Sequence, residues 1–339
     1  MAPTRGTDAP QQRALERRTG VNGRQLIIGI LAALMVLVAV AIAASIVAIF
    51  LLAPVRSEAP LQSILPKEVQ MPDVLISLGT RPYTDEETEV RTVPASTPSR
   101  LRLENRVGNA VIKGASVQEV QVRATRRGRG STLEEAASNL RQLEVAVTRQ
   151  QDGIVITAGS ANETSERSYL GSVDLEVTVP TDTHLTLQAG VGNLQLSDLR
   201  GSLTIVSGIG NVEASGVEGD LDIAADMGNV EIRNSRIASS LRLNGRMGQI
   251  HLQGQLPDQG IGEIVAKMGN VVVQLPASST AGIEASTKMG KIRSDFPGES
   301  SSEGATNLAG SQFKVPARGG GFRLFIQNEM GNVELRAED

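Results

Sequence analysis

Cysteine and tryptophan are absent from this sequence, and aromatic residues make up only 2% of its 339 residues. A chain without cysteine forms no disulfide and holds no metal through thiolates. Because aromatic side chains normally dominate the cores of compact domains, their scarcity means that any core here must be aliphatic. The composition favours a thin interior in which like aliphatic residues stack on one another.

An excess of basic residues is also missing, since 33 Lys and Arg stand against 37 Asp and Glu. Five arginines and two acidic residues fall within residues 1–25, which leaves 28 basic and 35 acidic residues in the remainder, a charge of −7. An acidic domain does not neutralise phosphates, so nucleic acid is excluded as its partner.

One long uncharged segment is present near the N-terminus. Leu26 to Leu52 comprises 27 residues without a charge, which is long enough to cross a bilayer and too long for the apolar region of a cleaved signal peptide. We predict a transmembrane helix over residues 26–53. The preceding arginines place residues 1–25 in the cytoplasm and the remaining chain outside, as in a single-pass protein of the cell membrane.

Proline is concentrated directly after this segment. Seven of the fourteen prolines lie between Pro54 and Pro98, and such a density opposes sheets and long helices. We therefore expect a Pro-rich linker over residues 54–98, followed by an extracytoplasmic domain over residues 99–339.

That domain repeats one short motif eight times: an apolar residue, Gly, usually Asn, then an aliphatic or Ala. The glycines are Gly108, Gly192, Gly210, Gly228, Gly248, Gly269, Gly290 and Gly331. From Gly192 to Gly290 the spacing is 18 to 21 residues, which is typical of a solenoid. The last interval of 41 residues is interpreted as two repeats with one motif missing.

Within each repeat the apolar residues alternate, as in "LDIAADMGNVEI", which predicts two half-buried strands joined at a Gly-Asn corner. Stacked coils would place identical positions in columns. We expect the Asn column to form a hydrogen-bonded ladder and the apolar column before Gly to belong to the core; its members are Val107, Val191, Ile209, Met227, Met247, Met268, Met289 and Met330. The predicted fold is an all-β β-solenoid, a single-stranded β-helix with coils of about 20 residues.

Two segments depart from the repeat. "STLEEAASNLRQLEV" has a capping box at Thr132 and Glu135 and an apolar face that includes Leu133 and Leu143, which predicts an amphipathic helix over about 132–145 covering one end or face of the solenoid. A Gly-, Ser- and Pro-rich stretch over about 294–321 predicts a long loop. The charged final coil is expected to close the stack and discourage end-to-end association.

Candidate chemistry is sparse. His184 and His251 lie several coils apart, so they are expected to be surface strand residues and not a metal or nucleophile site. Glu213 and Glu231 could be neighbours in one outward column, as glycosidic hydrolysis requires, yet no aromatic platform accompanies them. We therefore expect no catalytic, cofactor-binding or metal site, with a polysaccharide-active enzyme as a remote alternative.

A basic cluster precedes the predicted helix, at Arg123, Arg126, Arg127 and Arg129. In an acidic domain these side chains are candidates for contact with an anionic envelope polymer or with lipid headgroups. The alternative is a solvated turn.

The order "RLRLENRVGNAVIKG", helix, and "VDLEVTVPTDTHLTLQAGVGNLQLSDL" leading into tandem Gly-Asn coils resembles the bacterial adhesin-like, Toastrack-type β-strand-repeat domains. The resemblance covers about 100–339, and its most specific part is Val179-Pro180 followed by those coils. It implies a β-solenoid that is often fixed to the envelope by a membrane helix, with no catalytic residues to carry over. Gly-Asn replaces the commoner Gly-Asp, which weakens any expectation of cation binding.

Two functions follow as expectations. The domain is either a structural or adhesive module that contacts envelope polymer, or a sensor or regulator of envelope stress that acts through another membrane protein. The sequence leaves the choice and the oligomeric state open.

Overall fold

The computed structural model of this chain describes residues 83–96, 99–160, 171–302, 310–317, 319 and 321–338. The predicted cytoplasmic tail (1–25) and transmembrane helix (26–53) lie outside these residues. Within the part that is described, no helix is both long and apolar enough to span a bilayer.

The described residues form one short helix and a long series of strands. In chain order the elements are β1 (Tyr83–Pro94), β2 (Ser99–Val107), β3 (Ala110–Ala115), β4 (Glu119–Gly130), α1 (Leu133–Leu140), β5 (Leu143–Gln150), β6 (Gly153–Ser160), β7 (Gly171–Pro180), β8 (Thr183–Val191), β9 (Leu194–Ser197), β10 (Leu203–Ile209), β11 (Val212–Ser215), β12 (Glu218–Met227), β13 (Val230–Met247), β14 (Ile250–Gln255), β15 (Gln259–Met268), β16 (Val271–Pro276), β17 (Gly282–Met289), β18 (Ile292–Ser294), β19 (Glu299–Ser302), β20 (Ser311–Val315), β21 (Gly321–Met330) and β22 (Val333–Glu338).

All the strands belong to one continuous 22-stranded sheet, and each regular coil contributes to two of its faces, which are called here the first and the second sheet. The strand before the Gly-Asn corner joins the first sheet, as in β8, β10 and β12, and the strand after it joins the second sheet, as in β9 and β11. Successive coils pair in parallel, so Leu203 lies beside both Leu185 and Leu221. The register shifts once in the β12–β13 pair and once in the β13–β14 pair. The all-β solenoid predicted from the repeat is confirmed.

Alternation along each strand separates the core from the surface. In β12, Leu221 and Ile223 are buried while Asp222 between them is partly exposed. Parallel register repeats this choice in every coil, and the core is accordingly a set of stacked aliphatic columns. The largest fully buried side chain is Phe322, in β21 near the C-terminal end of the stack.

The N-terminal end of the stack does not follow chain order. The β2–β3 coil lies between β6–β7 on one side and β8–β9 on the other. Antiparallel strands continue both sheets beyond it, because β5 pairs with β6 in the first sheet and β4 pairs with β7 in the second. The residues between the Gly108 and Gly192 motifs therefore form the N-terminal end of the stack.

The C-terminal end is built in the same way and corrects two predictions. The final coil, β21–β22, was expected to close the stack, but it lies between β15–β16 and β17–β18. The segment predicted as a loop over 294–321 contains β19 and β20, which extend the first sheet: β20 pairs antiparallel with β17, and β19 pairs antiparallel with β20. Backbone pairing with the exposed β17 edge decides this outcome, and local composition does not reveal it.

The predicted linker is also corrected over Tyr83–Pro94. These residues form β1, which pairs antiparallel with β4 along its whole length. Pro94 is the last residue of the strand, where a missing N–H is tolerated. Charge supports the pairing, because Glu86 lies opposite Arg127 and Glu87 opposite Arg126.

Helix α1 is shorter than predicted and packs on β4. Thr132 caps it by accepting a hydrogen bond from the Glu135 N–H at 3.1 Å, as the sequence indicated. The helix ends at Leu140, and Leu143, expected on its apolar face, is buried in β5 instead. The backbones of α1 and β4 approach so closely that a Cβ at Gly128 would lie 2.3 Å from the Ala136 carbonyl oxygen.

Candidate functional site

The Gly-Asn corners form one continuous edge of the solenoid, and glycine is required there for two reasons. Gly248 adopts φ +139°, a region that L side chains rarely enter. A Cβ on Gly248 would also lie 2.0 Å from the carbonyl oxygen of Gly228 in the preceding coil. The other seven corner glycines have φ between +131° and +156° and the same crowding.

The residue after each glycine forms the predicted ladder. The Asn211 N–H donates to Asn193 Oδ1 at 2.9 Å, and the Asn229 N–H donates to Asn211 Oδ1 at 2.9 Å. In the same way, the Asn193 N–H donates to Asn109 Oδ1 at 3.0 Å and the Asn332 N–H donates to Asn270 Oδ1 at 2.9 Å. The hydrogen-bonded Asn column is confirmed, but its φ angles are not positive, so the amide and not the backbone conformation explains Asn.

The apolar column before each glycine is exposed, so the prediction that it belongs to the core is wrong. Met247 and Met268 each retain 41% exposure, and Ile209 retains 45%. Along each strand, the residue before glycine alternates in phase with the buried residues and would therefore point inward. It lies at the corner, however, beyond the edge where the two sheets cover each other. We call this column the corner stripe; in stack order it runs Val107, Val191, Ile209, Met227, Met247, Met268, Met330 and Met289.

The corner stripe is uninterrupted along the regular coils. Each member lies beside the next in parallel register, for example Met227 beside Met247 and Met247 beside Met268. Seven intervals at strand spacing give a length of about 34 Å. The result is a one-residue-wide apolar line along the whole set of regular coils.

Charged residues flank the stripe on the outer face of the first sheet. Arg246 Nη1 lies 3.3 Å from Asp226 Oδ1, and Lys288 Nζ lies 3.2 Å from Glu329 Oε1. The corresponding positions nearer the N-terminal end are Gly190 and Gly208. Charge is thus confined to the half of the rim that borders the methionines, apart from Arg106 at the first coil.

The outward column on the second sheet brings Glu213 and Glu231 together, as the sequence suggested. They are register partners in β11 and β13 and line a groove of about 270 Å³. Glu231 already accepts from Arg233 at 2.5 Å and lies 3.3 Å from His251 Nδ1, while Gln195 donates to Glu213 at 3.5 Å. These carboxylates are engaged with strand neighbours.

The histidines lie on different coils of the surface. His184 Nδ1 lies 2.8 Å from Ser202 Oγ and accepts from the Ser202 N–H at 3.1 Å. His251 lies beside Glu231 on the other sheet. Among the residues that are described, no group of three His, Asp or Glu side chains is arranged to hold a metal ion.

The four arginines proposed as an anionic-polymer contact lie on β4, and three meet carboxylates of neighbouring strands. Arg126 pairs with Glu87 at 3.0 Å, and Arg123 lies 3.8 Å from Glu176. Arg127 bonds Glu86 at 2.7 Å and also Asp174. The Glu86 hydrogen bond, opposed by burial and supported by Asp174, raises the pKa of Arg127. Their charge therefore joins β1 and β7 to β4, and polymer contact at Arg123, Arg126, Arg127 and Arg129 stays a prediction.

A perturbed carboxylate in β12 holds the middle of β13, where the register between the two strands shifts. Asp220 Oδ1 accepts three hydrogen bonds of 2.9 Å, from the Ser239 N–H, the Ser239 hydroxyl and the Ser240 N–H. Burial raises the pKa of Asp220, but the three hydrogen bonds outweigh it and leave the pKa below its ordinary value. This group is structural and acts on stability.

Comparison with known proteins gives a family. Residues 99–302 match the family model described as Toastrack DUF4097. The chain belongs to the Toastrack family. The resemblance seen in the Gly-Asn coils is therefore confirmed.

Three solved structures are similar to this Toastrack chain. A candidate cell adhesion protein from Clostridium sporogenes is 13% identical, covers 75% of this chain and 100% of its own, and has a TM-score of 0.38. Candidate adhesins from Bacteroides fragilis and Parabacteroides distasonis are 11% and 10% identical. Each covers 73% of this chain and 96% of its own, and their TM-scores are 0.33 and 0.26. No curated protein matches the sequence.

The candidate functional surface of this Toastrack domain that sequence reasoning missed is the corner stripe. One signal could have revealed it. The buried columns use Leu, Ile, Val and Ala, whereas the stripe uses methionine in five of its eight positions. Methionine specifies a core poorly but serves adaptable contact surfaces well.

Proposed function

We propose that the chain is a membrane-anchored, extracytoplasmic β-solenoid that acts as a structural or adhesive binding module of the bacterial cell envelope. The observation that carries the proposal is the corner stripe. A contiguous apolar line on an outer edge costs solubility, and such patches mark interaction sites. Nothing in the corner itself demands methionine, because Gly and Asn already meet its backbone requirements.

Rigidity supports a binding role. Parallel hydrogen bonds join every coil to the next, for example Gly228 N–H to the Met247 carbonyl at 2.9 Å. The backbone positions that carry the stripe are therefore fixed before any partner arrives, which lowers the entropy lost on binding.

Membrane attachment rests on the sequence. The uncharged Leu26–Leu52 segment and the arginines before it support a single span with the Toastrack domain outside the cell. Catalysis receives no comparable support, since Glu213 and Glu231 are engaged by neighbouring side chains. Partners in this proposal are the bilayer, together with envelope polymer or another membrane protein.

The test is cross-linking of the full-length chain in its native cells, comparing the wild type with a Met247→Gln, Met268→Gln variant. A matched control is Val206→Gln, Ile261→Gln, because those residues are 48% and 59% exposed but lie off the stripe. We expect the stripe variant alone to lose its cross-linked product. Equal amounts of cross-linked product from the wild type and both variants would refute the proposal. If the wild type were cross-linked mainly to one other membrane protein, the sensor or regulator alternative would be favoured.

A further inference from the structure

We propose that the corner stripe binds the corner stripe of a second copy of this chain, with the two stacks antiparallel about a two-fold axis. The inference rests on the proposed function, since it names the partner of the same surface. Three features of the stripe point to this occupant: the distribution of side-chain size, the charges on its rim and its exposed area.

Side-chain size is divided along the stripe. The N-terminal three coils present Val107, Val191 and Ile209, which are short and β-branched, and the other five present methionine. A two-fold axis between the fourth and fifth coils sets Ile209 opposite Met268 of the other copy. It likewise sets the valines opposite the last two methionines in the stack, Met289 and Met330.

This arrangement fills space evenly. Every short side chain from the first three coils faces a long, flexible one, and only Met227 and Met247 meet as two methionines at the centre. A parallel arrangement would instead place Met on Met over five coils and Val on Val at the other end, leaving unequal gaps. Even filling matters because voids along an interface forfeit dispersion contacts.

The rim charges agree with the same axis. Asp226 and Arg246 occupy the fourth and fifth coils and pair with each other within one chain at 3.3 Å. Across the axis each also faces the opposite charge of the second copy, so the two pairs would form a group of four alternating charges. Lys267 and Glu329 face Gly208 and Gly190, which bring no charge. Lys288 faces Arg106 at the outermost coils, but Lys288 is already paired with Glu329.

The exposed area suits an edge-to-edge dimer. Seven of the stripe side chains are between 39% and 48% exposed, which amounts to an apolar patch on the order of 500 Å², the size of functional patches on monomers. A stable pair buries about 800 Å² on each partner. The Asn ladder and the charged rim, which flank the stripe on either side, supply the remainder.

The absence of cysteine makes the register directly measurable. Full-length Ile209→Cys and Met268→Cys chains, carrying different tags, are co-expressed in native cells and treated with a short bis-maleimide. The antiparallel pair brings these two positions opposite each other. Ile209 of one copy, by contrast, lies three coils, about 14 Å along the stack, from Ile209 of the other, and the same holds for Met268. We expect a product between the two tags and none when either variant is expressed alone.

The control is Val206→Cys with Met268→Cys, because Val206 lies on β10 with Ile209 but on the outer face of the sheet. Products from each stripe variant alone, with none between the tags, would overturn the antiparallel register. Attachment of the stripe cysteines to another protein would overturn self-association while leaving the binding module intact. No stripe product of any kind would overturn both proposals.

A charge exchange provides a second measurement. Asp226→Arg and Arg246→Asp are each expected to weaken association of the full-length chain roughly tenfold, because each places like charges across the axis in addition to breaking the 3.3 Å Asp226–Arg246 pair within one chain. The double variant should restore association, since the two-fold sets the exchanged charges opposite each other again. Equal weakening in the double variant would contradict the axis.

Discussion

Gly248→Ala is expected to open the solenoid at its centre. The added Cβ would lie 2.0 Å from the Gly228 carbonyl oxygen, and the backbone would have to keep φ +139°. Holding a non-glycine residue in such a region costs about 1–3 kcal/mol. Moving the Gly228 and Gly248 coils apart also weakens the bonds from Gly228 N–H to the Met247 carbonyl and from Val230 N–H to the Gln249 carbonyl, both 2.9 Å long, at about 1 kcal/mol each. The total is about 3–5 kcal/mol, a large share of the stability of an ordinary domain.

The measurement is urea unfolding of the full-length chain in mild detergent, with hydrogen exchange of the amides in β12 to β15. Gly245→Ala is the matched control, because it makes the same change three residues earlier in the same coil. Its register neighbours are Ala225 and Ala266, and its Cβ would meet only the end of the Ile250 side chain, 3.1 Å away. We expect an effect within about 1 kcal/mol.

Hydrogen exchange adds the position of the damage. Coils of a solenoid contact only their neighbours, so faster exchange should be greatest around the Gly228 and Gly248 corners and fade along the stack. Ordinary surface substitutions change the free energy of unfolding by up to about 0.5 kcal/mol. If the unfolding free energies of Gly248→Ala and Gly245→Ala differed by no more than this, the crowding argument for the corner glycines would be refuted.

Four further outcomes are expected. Asn211→Ala removes the acceptor of the Asn229 N–H and should lower the free energy of unfolding by about 1 kcal/mol, measured by urea titration. An unchanged midpoint would show that the Asn ladder does not stabilise the fold. Asp220 has a lowered pKa, so its stabilisation is full above its ordinary value of 3.8 and is lost as pH falls through the folded value; Asp220→Asn should flatten the acid limb of a stability–pH curve, and parallel curves would contradict this. Arg127→Ala should free β1, seen as faster proteolysis within residues 83–94, whereas cleavage unchanged from the wild type would mean that backbone pairing alone holds it. Finally, Arg123→Gln with Arg129→Gln tests polymer contact while keeping the Arg127 pairs, and undiminished co-sedimentation with wall polymer would remove that prediction.

Period and parity predicted the regular coils well. Leu221 and Ile223 before one corner, and Val230 and Ile232 after it, alternate in the sequence and are buried in the structure. The alternation predicted burial for Met227 wrongly, because it reports only to which side of a strand a side chain points. Whether the opposite sheet reaches that far depends on where the corner bends, which the pattern does not contain.

The ends of the stack were predicted poorly because their pairing is non-local. Gly331 follows Gly290 in sequence, yet a Cβ on Gly290 would meet the Gly331 carbonyl and a Cβ on Gly331 would meet that of Gly269. The chain thus adds its last coil between two earlier ones. No local propensity encodes such an insertion. Strand β1 was missed for the same reason, because each of its residues pairs with a residue of β4 that lies 25 or more positions later in the sequence.

What the fold requires at the corner can be separated from what the surface displays. Gly248 and the Asn ladder satisfy steric and hydrogen-bond demands, but a stripe side chain that is two-fifths exposed needs only an apolar stem against the coil, which Gln, Lys or Arg also provides. Met247→Lys should therefore cost the free energy of unfolding less than about 1 kcal/mol while reducing association. If Met247→Lys instead unfolded the chain, methionine would be a structural residue, and both proposals for the stripe would lose their basis.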